Sequence, residues 1–304
     1  MSSNNQWTTD NIPDQTGRVV IVTGANSGIG YETAYVLTKK GATVIMACRN
    51  QQKGEAAAQQ IRDQEPKGTV EMMQLDLGDL DSVRRFAETI QNDYDRLDLL
   101  INNAGIMYPP FGKTKQGFEA QFGVNHLGHF ALTGLLLDLI MRTPQSRIVT
   151  VSSGAHRFGR IDFDNLNAEK VYRANAAYGQ SKLANLLFTY ELQRKLQSAG
   201  SDTIAVAAHP GWTATNLQRY SGVLNLLNRF FAQKSAMGAL PTLRAATAPD
   251  VQGGDYYGPS KRMEMVGYPK KVQSNDRSRD TAVAAQLWTV SEEMTGVQYK
   301  GLDA

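Results

Sequence analysis

Tyr178 and Lys182 stand four residues apart in "AAYGQSKLAN", a stretch with the composition of an Ala/Leu helix. On a helix, residues at that interval share one face a single turn apart. The pair would therefore set a phenol beside an ammonium. A free phenol titrates near ~10 and is a slow acid or base at neutral pH, so a cation that stabilises the phenolate is useful to it. Reduction of a carbonyl calls for such a pair, because hydride arrival creates an alkoxide that needs a proton and a hydrogen-bond donor. The interval alone decides nothing, since Tyr35 precedes Lys39 and Tyr257 precedes Lys261 by the same count. Pro259 interrupts any helix across the last pair, and Tyr35 lies well along the helix that follows the phosphate loop described next.

That loop is "TGANSGIG", residues 23–30, placed between an apolar run and a helical stretch. Gly24, Gly28 and Gly30 permit a tight turn and close approach of backbone to a pyrophosphate, whose charge meets the free N–H groups of a helix start. The spacing is G-x-x-x-G-x-G and not G-x-G-x-x-G. The next apolar run ends in "MACRN", where an enzyme that prefers NAD usually carries an acidic residue for the ribose 2′-hydroxyl. Here no carboxylate is present to repel a 2′-phosphate, and the Arg49 guanidinium can form a forked contact with one. The expected cofactor is NADP(H). His126 and His129 share a helix face, but no further ligands stand at metal-binding spacing, so no metal is expected.

These residues need a scaffold that brings strand ends together. From Arg18 onward "RVVIVTGA", "ATVIMAC", "TVEMMQLDL", "LDLLINNAG", "RIVTVSS" and "TIAVAAHP" alternate with amphipathic stretches such as 30–39, 52–64 and 80–94. Near-continuous apolar runs are the mark of parallel strands covered on both faces. The alternation predicts an α/β fold with a doubly wound parallel sheet, that is, a Rossmann fold in one domain. In such sheets ligands bind beyond the carboxyl ends of the strands. Residues 1–16 read as a polar lead-in and 17–304 as the domain, with a substrate-covering segment at about 212–239.

Composition sets the remaining bounds. The 304 residues carry a formal net charge of +3, with both signs mixed along the chain, so no nucleic-acid footprint is expected. The single cysteine, Cys48, permits no internal disulfide and reads as a packed side chain in a cytoplasmic protein. The longest apolar stretch, "FALTGLLLDLIM", is interrupted by Gly134 and Asp138 and is shorter than the roughly 20 residues of a membrane span.

With "TGANSGIG", "NNAG" at 102–105 and "YGQSK" in that order, the chain resembles the short-chain dehydrogenase/reductase family from about Gly17 to Val297. "ACRNQQKGEAAAQQI", "KQGFEAQFGVNHLGHFALT", "RIVTVSSGAHRFGRIDFDNLN", "HPGWTAT" and "LWTVSEEMTG" are similar to its retinol dehydrogenase and protochlorophyllide reductase-like branch. The resemblance implies a cofactor loop of Thr23, Gly24, Asn26, Ser27, Gly28, Ile29 and Gly30. It implies an adenine-side Asp at Asp76, followed by Leu77, and a backbone at Asn103, Ala104 and Gly105 beside the adenine-side ribose. Asn125 takes the place of the catalytic Asn, Ser153 fits the catalytic serine better than Ser152, and Tyr178 and Lys182 match the Tyr-x-x-x-Lys pair. Pro210 and Gly211 form the turn after the sixth strand, and Thr213 and Thr215 match positions that hold the nicotinamide carboxamide and the pyrophosphate. The long segment between Ser153 and Tyr178 departs from the shortest members and resembles that of the retinol dehydrogenase branch.

The activity so implied is hydride transfer between NADP(H) and the carbonyl or alcohol carbon of an apolar or amphipathic small molecule, such as a retinal-like aldehyde. Tyr178 is the acid or base, Lys182 lowers its pKa and holds the nicotinamide ribose, Ser153 orients the oxygen and Asn125 supports a proton path. Two rivals share these motifs: a C=C reductase of the protochlorophyllide type, and an NADP(H)-sensing protein without turnover. The family often forms homo-oligomers, and no feature of the chain decides for or against one.

Overall fold

The computed structural model describes residues 6–213 and 233–302. Thr215 and most of the expected covering segment, including "LNLLNRFF", lie outside the described residues. The six apolar runs form strands β1 (Val19–Thr23), β2 (Thr43–Cys48), β3 (Thr69–Gln74), β4 (Leu99–Asn102), β5 (Arg147–Val151) and β6 (Ile204–Ala208). Two more, β7 (Tyr256–Lys261) and β8 (Val266–Lys271), complete one sheet in the order β3-β2-β1-β4-β5-β6-β7-β8. Strands β1 to β7 pair in parallel and only β7 and β8 are antiparallel. The order reverses between β1 and β4, and the crevice beyond that switch point is where such sheets bind ligands.

Helices cover both faces: α1 (Gly28–Lys39), α2 (Gln51–Arg62), α3 (Leu80–Asp93), α4 (Ala120–Met141), α5 (Ala174–Ser198), α6 (Ser235–Thr247) and α7 (Thr281–Thr295). Alternation along β1 assigns the two cores. Val19 and Ile21 pack with Phe86, Leu136 and Leu192 of α3, α4 and α5, while Val20 and Val22 pack with Leu37, Ile61 and Leu243 of α1, α2 and α6. Both sets are buried, so β1 is apolar from Val19 to Val22 and shows no period of two in its sequence.

Three further features position the site. The helix α4 is long and apolar enough to cross a membrane, but most of it is buried in the fold. Its register is broken early by a π turn over Gly123–Leu127. The expected lead-in is partly structural: Ile12 joins the core, and the Gln15 N–H donates to the Lys40 carbonyl at 2.9 Å. At the other edge of the sheet the β7–β8 hairpin sets Pro259 opposite Pro269, tolerable where a missing N–H faces no further strand.

Candidate active site

The glycine loop leaves β1 and enters α1. Gly24 and Gly28 adopt φ of +67° and +59°, a region that favours glycine. A methyl on Gly30 would fall 2.5 Å from the Gly24 carbonyl oxygen and 2.6 Å from Asn103 Nδ2. Asn50 and Asp79 cap α2 and α3 with their side chains, but Ser27, at the same position before α1, makes no such bond. The first N–H groups of α1 are therefore left to a ligand, and the loop fits a dinucleotide pyrophosphate.

Across the switch point, Asn103, Ala104 and Gly105 follow β4. Thr23 Oγ1 accepts from the N–H groups of Asn103 and Ala104, both at 2.9 Å, and Asn103 Nδ2 donates to the Thr23 carbonyl at 2.8 Å. Ala104 packs so tightly on Gly24 that a Cβ there would lie 2.9 Å from it. Asp76 and Leu77 follow β3, where an Asp76 oxygen accepts from the Gly78 N–H at 2.9 Å. Arg49 is exposed at the end of β2. Burial pushes the neighbouring Cys48 thiol up to about 11, as suits a packed side chain.

Asn125 sits in the π turn of α4. Its Oδ1 accepts from the Ile106 N–H at 2.8 Å, and its Nδ2 donates to the Ile106 carbonyl and to Ser181 Oγ, both at 3.0 Å. Ser181 in turn donates to the Tyr178 carbonyl at 2.8 Å. The loop after β4 and the helix carrying Tyr178 are thus joined through one amide.

Tyr178 and Lys182 occupy one face of α5, and both are buried. Burial raises the Tyr178 phenol well above its ordinary range, its hydrogen bond with Ser153 works the other way, and Tyr108 raises it further. Lys182 Nζ donates to the Val151 carbonyl at 3.0 Å, and burial brings its pKa down to about 8. It lies near Gly105, where an added methyl would come within 3.5 Å of the ammonium. The ammonium lies 5.8 Å from the centre of the Tyr178 ring.

The two serines after β5 have different partners. Ser152 is buried and donates to the Lys182 carbonyl at 2.8 Å, while Ser153 faces the phenol and accepts from the Ala155 N–H at 3.2 Å. The rival pairs lie elsewhere. Tyr35 and Lys39 are a ring and cation 6.0 Å apart on α1, and the Tyr257 hydroxyl in β7 donates to Asp255 at 3.1 Å.

Beyond β6, Gly211 turns with φ of +68°, and Thr213 Oγ1 donates to the Pro210 carbonyl at 3.0 Å. The Trp212 N–H donates to the Met265 carbonyl at 2.7 Å, so the hairpin tip holds this turn.

Comparison with known proteins agrees with this geometry. Residues 18–222 match the family model described as short chain dehydrogenase. Mouse retinol dehydrogenase 12 is 44% identical over 289 residues, spanning 93% of this chain and 88% of its own. Mouse retinol dehydrogenase 14 is 42% identical, spanning 92% and 86%. The chain belongs to the short-chain dehydrogenase family. An uncharacterised protein from Mycobacterium paratuberculosis is similar in structure, with a TM-score of 0.83, 46% identity, and coverage of 97% of this chain and 99% of that one. The chain is an oxidoreductase of that family, and its doubly wound sheet is the one read from its apolar runs.

Two residues of this short-chain dehydrogenase escaped sequence reasoning. Tyr108 takes φ of +55° and sets its ring edge-on to Tyr178, centroids 5.4 Å apart. With Met107 and Ala155 it makes an apolar wall around the phenol. Nothing in "NNAGIMYPP" marks it except the two prolines that end the run. His129 is the second; in the sequence it is weighed only beside His126 as a metal ligand, and its place one turn after Asn125 is the one pointer to the site.

Proposed function

We propose that this short-chain dehydrogenase transfers hydride between NADP(H) and the carbonyl or alcohol carbon of an apolar small molecule, with Tyr178 as the proton donor or acceptor. The observation that carries the reading is the buried Tyr178–Lys182 pair, its ammonium 5.8 Å from the phenol ring and beside Gly105 of the turn that packs on the glycine loop. When bound, the cofactor supplies or takes up the hydride. In reduction the carbonyl oxygen lies against the Ser153 and Tyr178 hydroxyls, and Tyr178 gives its proton to that oxygen as charge develops. Lys182 stabilises the phenolate left behind and holds the nicotinamide ribose. Asn125 keeps the Tyr178 helix in register with the loop after β4.

Thr23, Gly24, Asn26, Ser27, Gly28, Ile29 and Gly30 hold the pyrophosphate side. Asp76, Leu77, Asn103, Ala104 and Gly105 border the adenosine, and Pro210, Gly211 and Thr213 the nicotinamide. Arg49 selects NADP(H) over NAD(H), since it is exposed at the strand end with no acidic residue in "MACRN". Met107, Tyr108 and Ala155 around Tyr178, with Phe111 against Tyr172 at 5.2 Å, favour an apolar substrate. The relatives named for retinol support a retinal-like aldehyde. The low cysteine content, with Cys48 buried, supports a cytoplasmic setting.

The test is NADPH oxidation against a panel of aldehydes and ketones, with wild type beside Tyr178→Phe. Turnover by wild type and its loss in the variant at unchanged NADPH affinity are expected. Undiminished turnover in the variant overturns the assignment of Tyr178.

A further inference from the structure

His129 has no part in the chemistry above, yet its imidazole is buried and makes two directed bonds. Nδ1 lies 3.0 Å from the Asn125 carbonyl oxygen and Nε2 lies 2.8 Å from Thr23 Oγ1. A carbonyl can only accept, so Nδ1 carries the proton. Burial takes the pKa of His129 down to about 4, its bond to Asn125 raises it, and the Lys182 ammonium lowers it further. The ring is therefore neutral, and Nε2 can only accept. The Thr23 hydroxyl must then donate to it; the Ile101 carbonyl, the other acceptor for that proton, is farther away at 3.4 Å.

The proton assignments leave the Thr23 oxygen free to accept, and it takes the N–H groups of Asn103 and Ala104. One ring thus ties the main chain of Asn125 to the end of β1. Asn125 also holds the Tyr178 helix through Ser181, and Thr23 also holds the turn bordering the cofactor. The tie falls within the π turn, a bulge in the regular helix, and a side chain fixes the Asn125 carbonyl there.

We infer that His129 is a positioning residue with two separable duties: Nδ1 sets Asn125 and the Tyr178–Lys182 helix, and Nε2 sets the cofactor-side turn through Thr23. The inference rests on the reading of Tyr178 as proton donor. A small misplacement of a reacting group costs turnover, whereas a loosened binding turn costs affinity. The two ends of the ring therefore act on different kinetic constants.

The amide of asparagine can reach the place of Nδ1 and that of glutamine the place of Nε2. His129→Gln, which keeps Thr23 and releases Asn125, is expected to lower kcat roughly tenfold, the scale of one lost hydrogen bond, with the larger effect on kcat. His129→Asn, which keeps Asn125 and releases Thr23, is expected to act chiefly on KM for NADPH, raising it several-fold. Equal loss of the same constant in both variants overturns the inference. Nitrogen NMR of the wild-type protein needs no variant: the Nδ1–H tautomer of a neutral His129 is expected, and an Nε2–H tautomer overturns it. Tyr178→Phe, run alongside, separates the two readings. Turnover retained there removes the proton donor, whereas turnover lost there, with both His129 variants alike, removes only the duties of His129.

Discussion

Lys182 directs its ammonium to the carbonyl of Val151, 3.0 Å away at the end of β5, and that carbonyl also accepts from Asn185 at 3.2 Å. The cation is thereby fixed to the sheet, with the ring of Tyr178 5.8 Å away. A buried ammonium with a single carbonyl partner is costly. Under the proposed function its presence here serves proton transfer at the expense of stability.

Replacing Lys182 by methionine should therefore separate the two. Below about pH 8 the folded protein carries the cost of burying the charge, because its lysine pKa is about 8 against an ordinary 10.5. Between those values the unfolded chain binds more protons, so wild-type stability rises with pH. We expect Lys182→Met to gain about 2 kcal/mol near neutrality and to lose that advantage above pH 10. Turnover should fall more than about a hundredfold. Denaturant titrations at the two pH values, with NADPH oxidation, check both.

Ser153→Ala should lower turnover by about 10- to 100-fold, since it removes the hydroxyl facing Tyr178. Ser152→Ala removes a donor to the Lys182 carbonyl and should cost about 1 kcal/mol of stability with turnover largely kept. Kinetics and melting of the two variants side by side distinguish them; the reverse pattern would exchange their roles.

Acid should unfold the protein steeply. Burial holds His126 at about 3, and His129 and His156 at about 4, against an ordinary 6.5. From about pH 6 down to 4 the unfolded chain therefore takes up protons that the folded one refuses, and stability is lost as pH falls. Three such groups contribute up to about 4 kcal/mol per pH unit. Urea melts at pH 7, 6 and 5 measure that slope, and a flat response would show these rings to be solvated.

Arg49→Ala should raise KM for NADPH about tenfold or more and leave KM for NADH nearly unchanged, as expected for loss of one charge-assisted contact to the 2′-phosphate. Equal change with both cofactors would place the 2′-phosphate elsewhere.

The parts legible in the sequence are those set by local rules. The runs from "RVVIVTGA" to "TIAVAAHP" became β1 to β6, and Gly296 ends α7 in the left-handed conformation, φ +64°. The edge hairpin was missed because Tyr256–Lys261 and Val266–Lys271 each carry glycine and proline, which argue against strands except at an edge. Tyr178 and Lys182 were singled out by the order of their motif after the glycine loop and "NNAG", since two other pairs share the four-residue interval. Ser153 was preferred to Ser152 by resemblance alone, because both follow the end of β5 and only their partners in the folded chain separate them. The Thr23–His129 bond joins residues 106 positions apart, and no local pattern announces such a contact.

The turn after β6 and the edge hairpin depend on one side chain. Thr213 forms a parallel bridge with Gln233, and Gln233 also binds the Pro210 carbonyl at 2.8 Å and the Gly267 N–H at 3.1 Å. The entrance and exit of the intervening stretch are thus riveted side by side to the sheet. Residues 213 and 233 are thereby held at one point beside the hairpin tip, so loss of the Gln233 amide would loosen the turn after β6 and the outermost strand of the sheet together.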